Sequence, residues 1–329
     1  KDVNNVLTQD TALNFSFLMI IITRLVSRGL ALNALGAPAA NMGIAVSKFV
    51  AFLLTGSSSM LSEAIHSVAD SANQVLLLIG GKRAGRQPDA VHQFGYSRVR
   101  YVYAFVVSIV LFLVGGLFSL YEGWHKWQHP EPLSDWWIAV LVLFVAIALE
   151  GFSFRTALKE ANHSRGKRSL LRFVRDARQP ELPVILLEDA GALTGLCFAL
   201  FGVGMSVLTG DGRWDAVGAA AVGTLLVVIA IFLAIEMTDM LVGESALPEE
   251  VAAIRAALEG SDGVERVIHL RTLHVGPDEL LVAAKIAVAH TDTARDIAQD
   301  IDDAELAVRT AVPTARYIFL EPDLYRSSP

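Results

Sequence analysis

Long apolar runs that carry no charge constrain this chain more than any other feature. Tyr101 to Tyr121 contains no charged residue, and neither does Ala216 to Ile235. A helix rises about 1.5 Å per residue, so roughly 20 apolar residues cross the ~30 Å hydrocarbon core of a bilayer. Two more runs are of the same kind. Trp136 to Leu149 continues past Glu150 to about Phe154, and Ala190 to Gly210 extends a helix that starts near Pro183, a residue suited to a first helical turn. Ser59 to Gly80 is apolar apart from Glu63, His66 and Asp70, and the shorter Ala39 to Thr55 contains Lys48. Together they predict six spans, at about 39–55, 59–81, 101–123, 136–156, 183–209 and 216–241.

Composition agrees. Of 329 residues, 53% are hydrophobic and 19% charged, where soluble domains carry about 25% charge. The mean hydropathy is +0.47. A net charge of −7 argues against a nucleic-acid partner, which needs a basic face. The lone Cys197 excludes an internal disulfide framework and a Cys-rich zinc finger.

Loop charge sets the orientation. Lys82, Arg83, Arg86, Arg98 and Arg100 crowd the 82–100 loop, and the 155–179 stretch is equally basic, from Arg155 to Arg178. The alternate loops are nearly bare of basic residues. The positive-inside rule puts the basic loops, and with six spans both termini, in the cytoplasm. Trp124, Trp127, Trp136, Trp137 and Trp214 then fall at the outer span ends as an aromatic belt. Residues 1–38 form a separate N-terminal segment. Its apolar Phe15 to Ile22 suits an interfacial helix, a leader or a cloning remnant, and carries no functional reading.

The character changes near Leu247. Pro248, Glu249 and Glu250 open a helix that stops at Gly260. Val264–Leu273 and Glu279–Ala289 alternate as strands around Gly276, Pro277 and Asp278. Thr293–Val312 reads as a helix and Ala315–Leu320 as a last strand. The order α-β-β-α-β predicts a small ferredoxin-like α+β domain over 247–322, below an α-helical transmembrane domain over 39–241.

Within the second span, His66 and Asp70 are one turn apart on one helix face. Glu63, three before His66, and Asn73, three after Asp70, lie on nearly the same stripe. Ionisable groups at bilayer depth are costly and mark ion or proton paths. An imidazole and a carboxylate at this spacing suit one small cation, and zinc accepts both ligand types. Glu188 and Asp189 in the fifth span are the other acidic pair, and they complete a four-ligand set if the two helices pack together. The competing reading is structural, with these groups pairing among themselves or with Lys48. Glu150 reads more readily as a partner of Arg155 than as part of a path, and Asp239 as interfacial.

These residues resemble the cation diffusion facilitator family of metal/proton antiporters, over about residues 39–322. His66-Ser67-Val68-Ala69-Asp70 resembles the family's second-span motif, and Pro88 to Tyr96 its following loop. Ser62 to Ser67 and Val184 to Asp189 are most similar to the branch that includes the mitochondrial zinc exporter of animals. The resemblance implies a membrane transporter and not an enzyme. It implies a homodimer that exports a divalent metal in exchange for protons by alternating access, without a resident cofactor. It implies His66, Asp70 and Asp189 as ligands, with Glu188 assisting and Asn73 or Glu63 as secondary ligands. Zn2+ is the expected cargo. Mn2+, Fe2+ and Co2+ stay open because a set rich in carboxylates is hard.

The sequence departs from the family pattern in three places. Ile185 stands where most members carry His or Asp four before the fifth-span Asp. Tyr96 replaces the second His of a loop zinc site, with Asp89 and His92 retained. In the tail, His269, His274 and His290 are scattered, and Phe319 stands where the last strand often has His. No tight loop site and no tail metal pair are therefore expected. Two other classes remain: an intramembrane metal-dependent hydrolase, with Glu63 as base although no His-Glu-x-x-His helix is present, and a non-transporting membrane scaffold. The Ala- and Arg-rich acidic tail and the short loops suggest a bacterial inner (plasma) membrane.

Overall fold

The computed structural model describes residues 36–166 and 168–325, so the Phe15 to Ile22 segment lies outside it. The helices are α1 (Gly36–Thr55), α2 (Ser58–Ala84), α3 (Val99–Gln128), α4 (Trp136–Ser164), the short α5 (Leu170–Asp176), α6 (Glu181–Thr209), α7 (Arg213–Val242) and α8 (Pro248–Glu259). β1 (Arg266–Gly276), β2 (Glu279–Ala287), α9 (Ala294–Ala311) and β3 (Ala315–Asp323) follow. Two compact units result. One takes the chain up to Ile79, Tyr103–Leu170 and Glu181–Ile235. The other takes Gly80–Val102, Leu171–Pro180 and the chain from Glu236 onward.

In the first unit, α3, α4, α6 and α7 are 28 to 30 residues long and apolar enough to cross a membrane. At about 1.5 Å per residue each exceeds the ~30 Å core. The apolar part of α1, Met42–Thr55, is shorter, and α2 is interrupted by its polar stripe. Large apolar side chains such as Leu113, Phe144, Phe152, Phe201 and Val228 point outward, as lipid-facing residues do.

Small residues let the helix backbones close on one another. A Cβ on Gly223 of α7 would sit 2.7 Å from the Leu120 backbone nitrogen of α3, and one on Gly123 would sit 2.8 Å from that of Ala220. Gly202 of α6 and Gly218 of α7 meet in the same way, a Cβ on Gly202 falling 2.9 Å from the Gly218 Cα. Such contacts replace the hydrophobic driving force that lipid does not supply between helices. The Gly115–Gly116 pair lies in a π-helical stretch of α3, Leu111–Leu117. Asp215, at the start of α7, caps α2. Its carboxylate accepts from the Ser57 hydroxyl and the Ser58 amide, both at 2.7 Å, and from the Ser59 amide at 3.3 Å.

The second unit holds the α+β fold read from the sequence. The sheet order is β1-β2-β3, with β1 and β2 antiparallel and β2 and β3 parallel. The parallel pair requires a crossover, and α9 supplies it. Ile254 and Leu258 of α8, and Ala304 and Val308 of α9, pack on Leu280, Val282, Ala284 and Ile286 of β2. Thr293 and Asp296 cap α9 reciprocally, and the Glu250 carboxylate accepts from the Leu247 amide at the start of α8. Arginines of the basic loops bind within this unit. Arg98 donates to the His274 carbonyl at 3.3 Å, and Arg178 forms an ion pair with Glu244.

Candidate metal centre

One face of α2 carries the polar stripe into the interior of the helical unit. Glu63, His66 and Asn73 are wholly buried, and Asp70 is 8% exposed. The i, i+4 spacing brings His66 Nδ1 to 3.4 Å from Asp70 Oδ1. Both His66 nitrogens, Asp70 Oδ1, Glu63 Oε1 and Asn73 Oδ1 have no hydrogen-bond partner among the described residues. Buried polar atoms left this way are costly, and a cation in reach of a nitrogen and several oxygens would satisfy them.

Three of the carboxylates, Glu63, Glu188 and Asp189, have donors of their own. Lys48 of α1, itself fully buried, donates to Glu63 Oε2 at 3.0 Å and to the Ser67 hydroxyl at 2.8 Å. The Asn73 amide donates to Glu188 Oε1 at 2.7 Å, joining α2 to α6. The Ser153 hydroxyl of α4 donates to Asp189 Oδ2 at 2.9 Å. Buried carboxylates repel one another, and these three are bonded to donors on three different helices. Among the described residues no three His, Cys, Asp or Glu side chains stand close enough to hold one metal ion. The structure thus brings together His66 with Asp70, and Asn73 with Glu188. It holds Asp189 on α4 and Glu63 on Lys48.

The two acidic neighbours of α6 divide by about 100° of helical rotation. Glu188 is buried against α2, while Asp189 is half-buried and turned to α4. Glu188 is also the carboxylate that acts most strongly on Asp70, followed by Glu150. Glu150 of α4 also lies near the stripe. It is 8% exposed and acts electrostatically on Lys48, Glu63, Asp70 and Asp189. Its signal was available: a carboxylate within an otherwise uncharged run.

The loop motif is satisfied internally. The Tyr96 hydroxyl donates to Asp89 Oδ2 at 2.5 Å, and the His92 and Val91 amides donate to Oδ1. These donors, Tyr96 first, hold the Asp89 carboxyl down at about 2. In the tail, burial first and then the Arg178 guanidinium hold the His274 imidazole below its usual range.

A unit with four helices long and apolar enough to cross a membrane, with imidazole, carboxylate and amide groups buried in its interior, joined to a small α+β unit, defines a class of integral membrane proteins built around a buried polar site. The model of the cation efflux transmembrane domain matches residues 36–242, and the chain belongs to this cation diffusion facilitator family. It lies close to the branch of the animal mitochondrial zinc antiporters. It is 33% identical over 241 residues to the mouse mitochondrial proton-coupled zinc antiporter SLC30A9, covering 73% of this chain and 42% of that protein. The chain therefore spans less than half the length of this relative. It is 23% identical over 285 residues to the manganese efflux system protein MneP of Bacillus subtilis, covering 84% of this chain and 90% of that one. Among solved structures, MamM-CTD matches 23% of this chain and 96% of its own length, at 22% identity and a TM-score of 0.23.

Proposed function

We propose that this chain exports a divalent metal cation, zinc, across a membrane in exchange for protons, by alternating access of a site built from His66, Asp70 and Glu188, with Asp189, Asn73 and Glu63 in support. The observation that carries the reading is the buried stripe on α2, with its unpartnered imidazole and carboxylate atoms set against Glu188. Neutral imidazole and carboxylate are the ligand forms, so a proton and a metal compete for the same atoms. Release on one side and reloading on the other follow from that competition when the helices rock about the site.

The same reading takes α1 and α2 as spans beside the four longer helices, giving six, with 39–241 as the transport domain, 247–322 as a cytoplasmic domain and 1–38 as a separate segment. It places both termini in the cytoplasm, on the basic side of a bacterial inner (plasma) membrane, and takes the functional unit as a homodimer. Zinc is favoured by the likeness to SLC30A9, whose name states that metal. Manganese is the second cargo, because the set has one imidazole among carboxylates and because MneP is named for manganese efflux.

The test is metal flux into proteoliposomes of the full chain under an imposed pH gradient, with Zn2+, Mn2+, Fe2+ and Co2+ supplied in turn. Zinc flux that reverses when the gradient reverses is the expected result. Flux indifferent to the gradient removes the antiport, and no flux of any metal from a folded protein leaves the hydrolase or scaffold readings.

A further inference from the structure

We propose that His125 and His129, at the C-terminal end of α3, form a second divalent-metal site, separate from the intramembrane stripe. They are four residues apart, His125 in the last turn of α3 and His129 just past its end at Gln128, where the backbone leaves helical geometry, so two imidazoles meet at one end of the helix. Both are exposed, and their ring centroids are 5.3 Å apart. That separation suits chelation. A zinc–nitrogen bond of about 2.1 Å puts the metal roughly 3.2 Å from each ring centre, and a tetrahedral angle then sets the centres about 5 Å apart.

The surroundings fix the pair on the outer face. Lys126, between them in sequence, turns the other way and donates its Nζ to the Gly56 carbonyl at 2.9 Å. Its charge is therefore directed away from the imidazoles. Gly123 is packed against α7, so this end of α3 is anchored before the pair begins. The Tyr121 ring stacks on His125, with centroids 6.2 Å apart and planes at 25°, which limits the rotamers open to that imidazole. The site has two nitrogen ligands, and water fills the remaining positions. Such a donor set selects borderline cations, Zn2+, Ni2+ and Cu2+, over Mg2+ and Ca2+, which take oxygen ligands. It is a binding site and does not rest on the transport reading.

The test is calorimetric titration of ZnCl2 into the full chain in detergent micelles. An Asp70→Ala background takes the intramembrane stripe out of the measurement. Adding His125→Ala or His129→Ala to that background is expected to weaken zinc binding by about tenfold or more, or to remove about one equivalent, while MgCl2 gives no heat in any variant. Both side chains are exposed, so neither variant should shift the thermal unfolding midpoint. Isotherms that superpose on the parent, or a parent that takes up no zinc, overturn the site. If Asp70→Ala fails to fold, the same two variants in the otherwise unmodified chain carry the comparison, with loss of about one equivalent supporting the site and unchanged stoichiometry and affinity rejecting it.

Discussion

Glu188 and Asp189 are adjacent in sequence and differ in what they touch. Glu188 bonds to Asn73 on α2, and Asp189 to Ser153 on α4. Glu188→Gln is therefore expected to raise the KM for zinc by about tenfold or more, and Asp189→Asn by less, in flux assays on the same preparation. Lys48 reaches the same stripe from α1. It is fully buried against Glu63, and Lys48→Met leaves a buried carboxylate without its cation. A cost of about 3–5 kcal/mol is expected for such a loss, seen as a lower unfolding midpoint in detergent. Adding Glu63→Gln should recover part of it. If the double variant is no more stable than Lys48→Met alone, the pairing does not explain the effect. The stripe itself was legible, because charges inside an apolar run stand out. The roles of Glu188 and Asp189 were not. Rotation about the helix axis decides which of two neighbours faces inward, and packing sets that rotation.

The long elements follow directly from apolar runs, and the tail elements from caps and turns. The helix at Pro248 and the one after Thr293 begin where Pro, Thr and acidic residues said they would. What spacing could not reveal is which helix lies beside which. The Asp215 cap on α2 joins groups as far as 158 residues apart, and nothing local to either segment marks it. The contact between α3 and α7 is of the same kind. Gly223→Ala and Gly123→Ala each push a methyl into backbone, so a destabilisation of about 1–3 kcal/mol is expected, read as detergent unfolding. Gly204→Ala, on α6 with open space around it, should leave stability unchanged or slightly raise it. Equal losses at all three positions would show that generic helix effects, not close packing, were being measured.

For the whole molecule, the basic loops make contacts of their own within the second unit. Arg98 and Arg178 bind around the end of β1, near a His274 whose imidazole is held below its usual range, first by burial. In the unfolded chain that imidazole takes up a proton near its ordinary value of about 6.5, and in the folded chain only at lower pH. Below that value the unfolded state binds more protons, so stability falls as pH drops. Amide exchange in β1 should accelerate between about pH 7 and about pH 5.5 beyond its intrinsic pH trend, and His274→Leu should flatten the excess. In the other unit, the proposed metal path runs between α2 and α6, where Asn73 meets Glu188 and His66 lies beside Asp70. The most direct test of it is zinc flux through Asp70→Ala compared with the unmodified chain, in proteoliposomes with matched protein content. Flux lower by about a hundredfold, from a variant that still folds, is the predicted result. Flux within about twofold of the unmodified chain would contradict a metal path through this stripe.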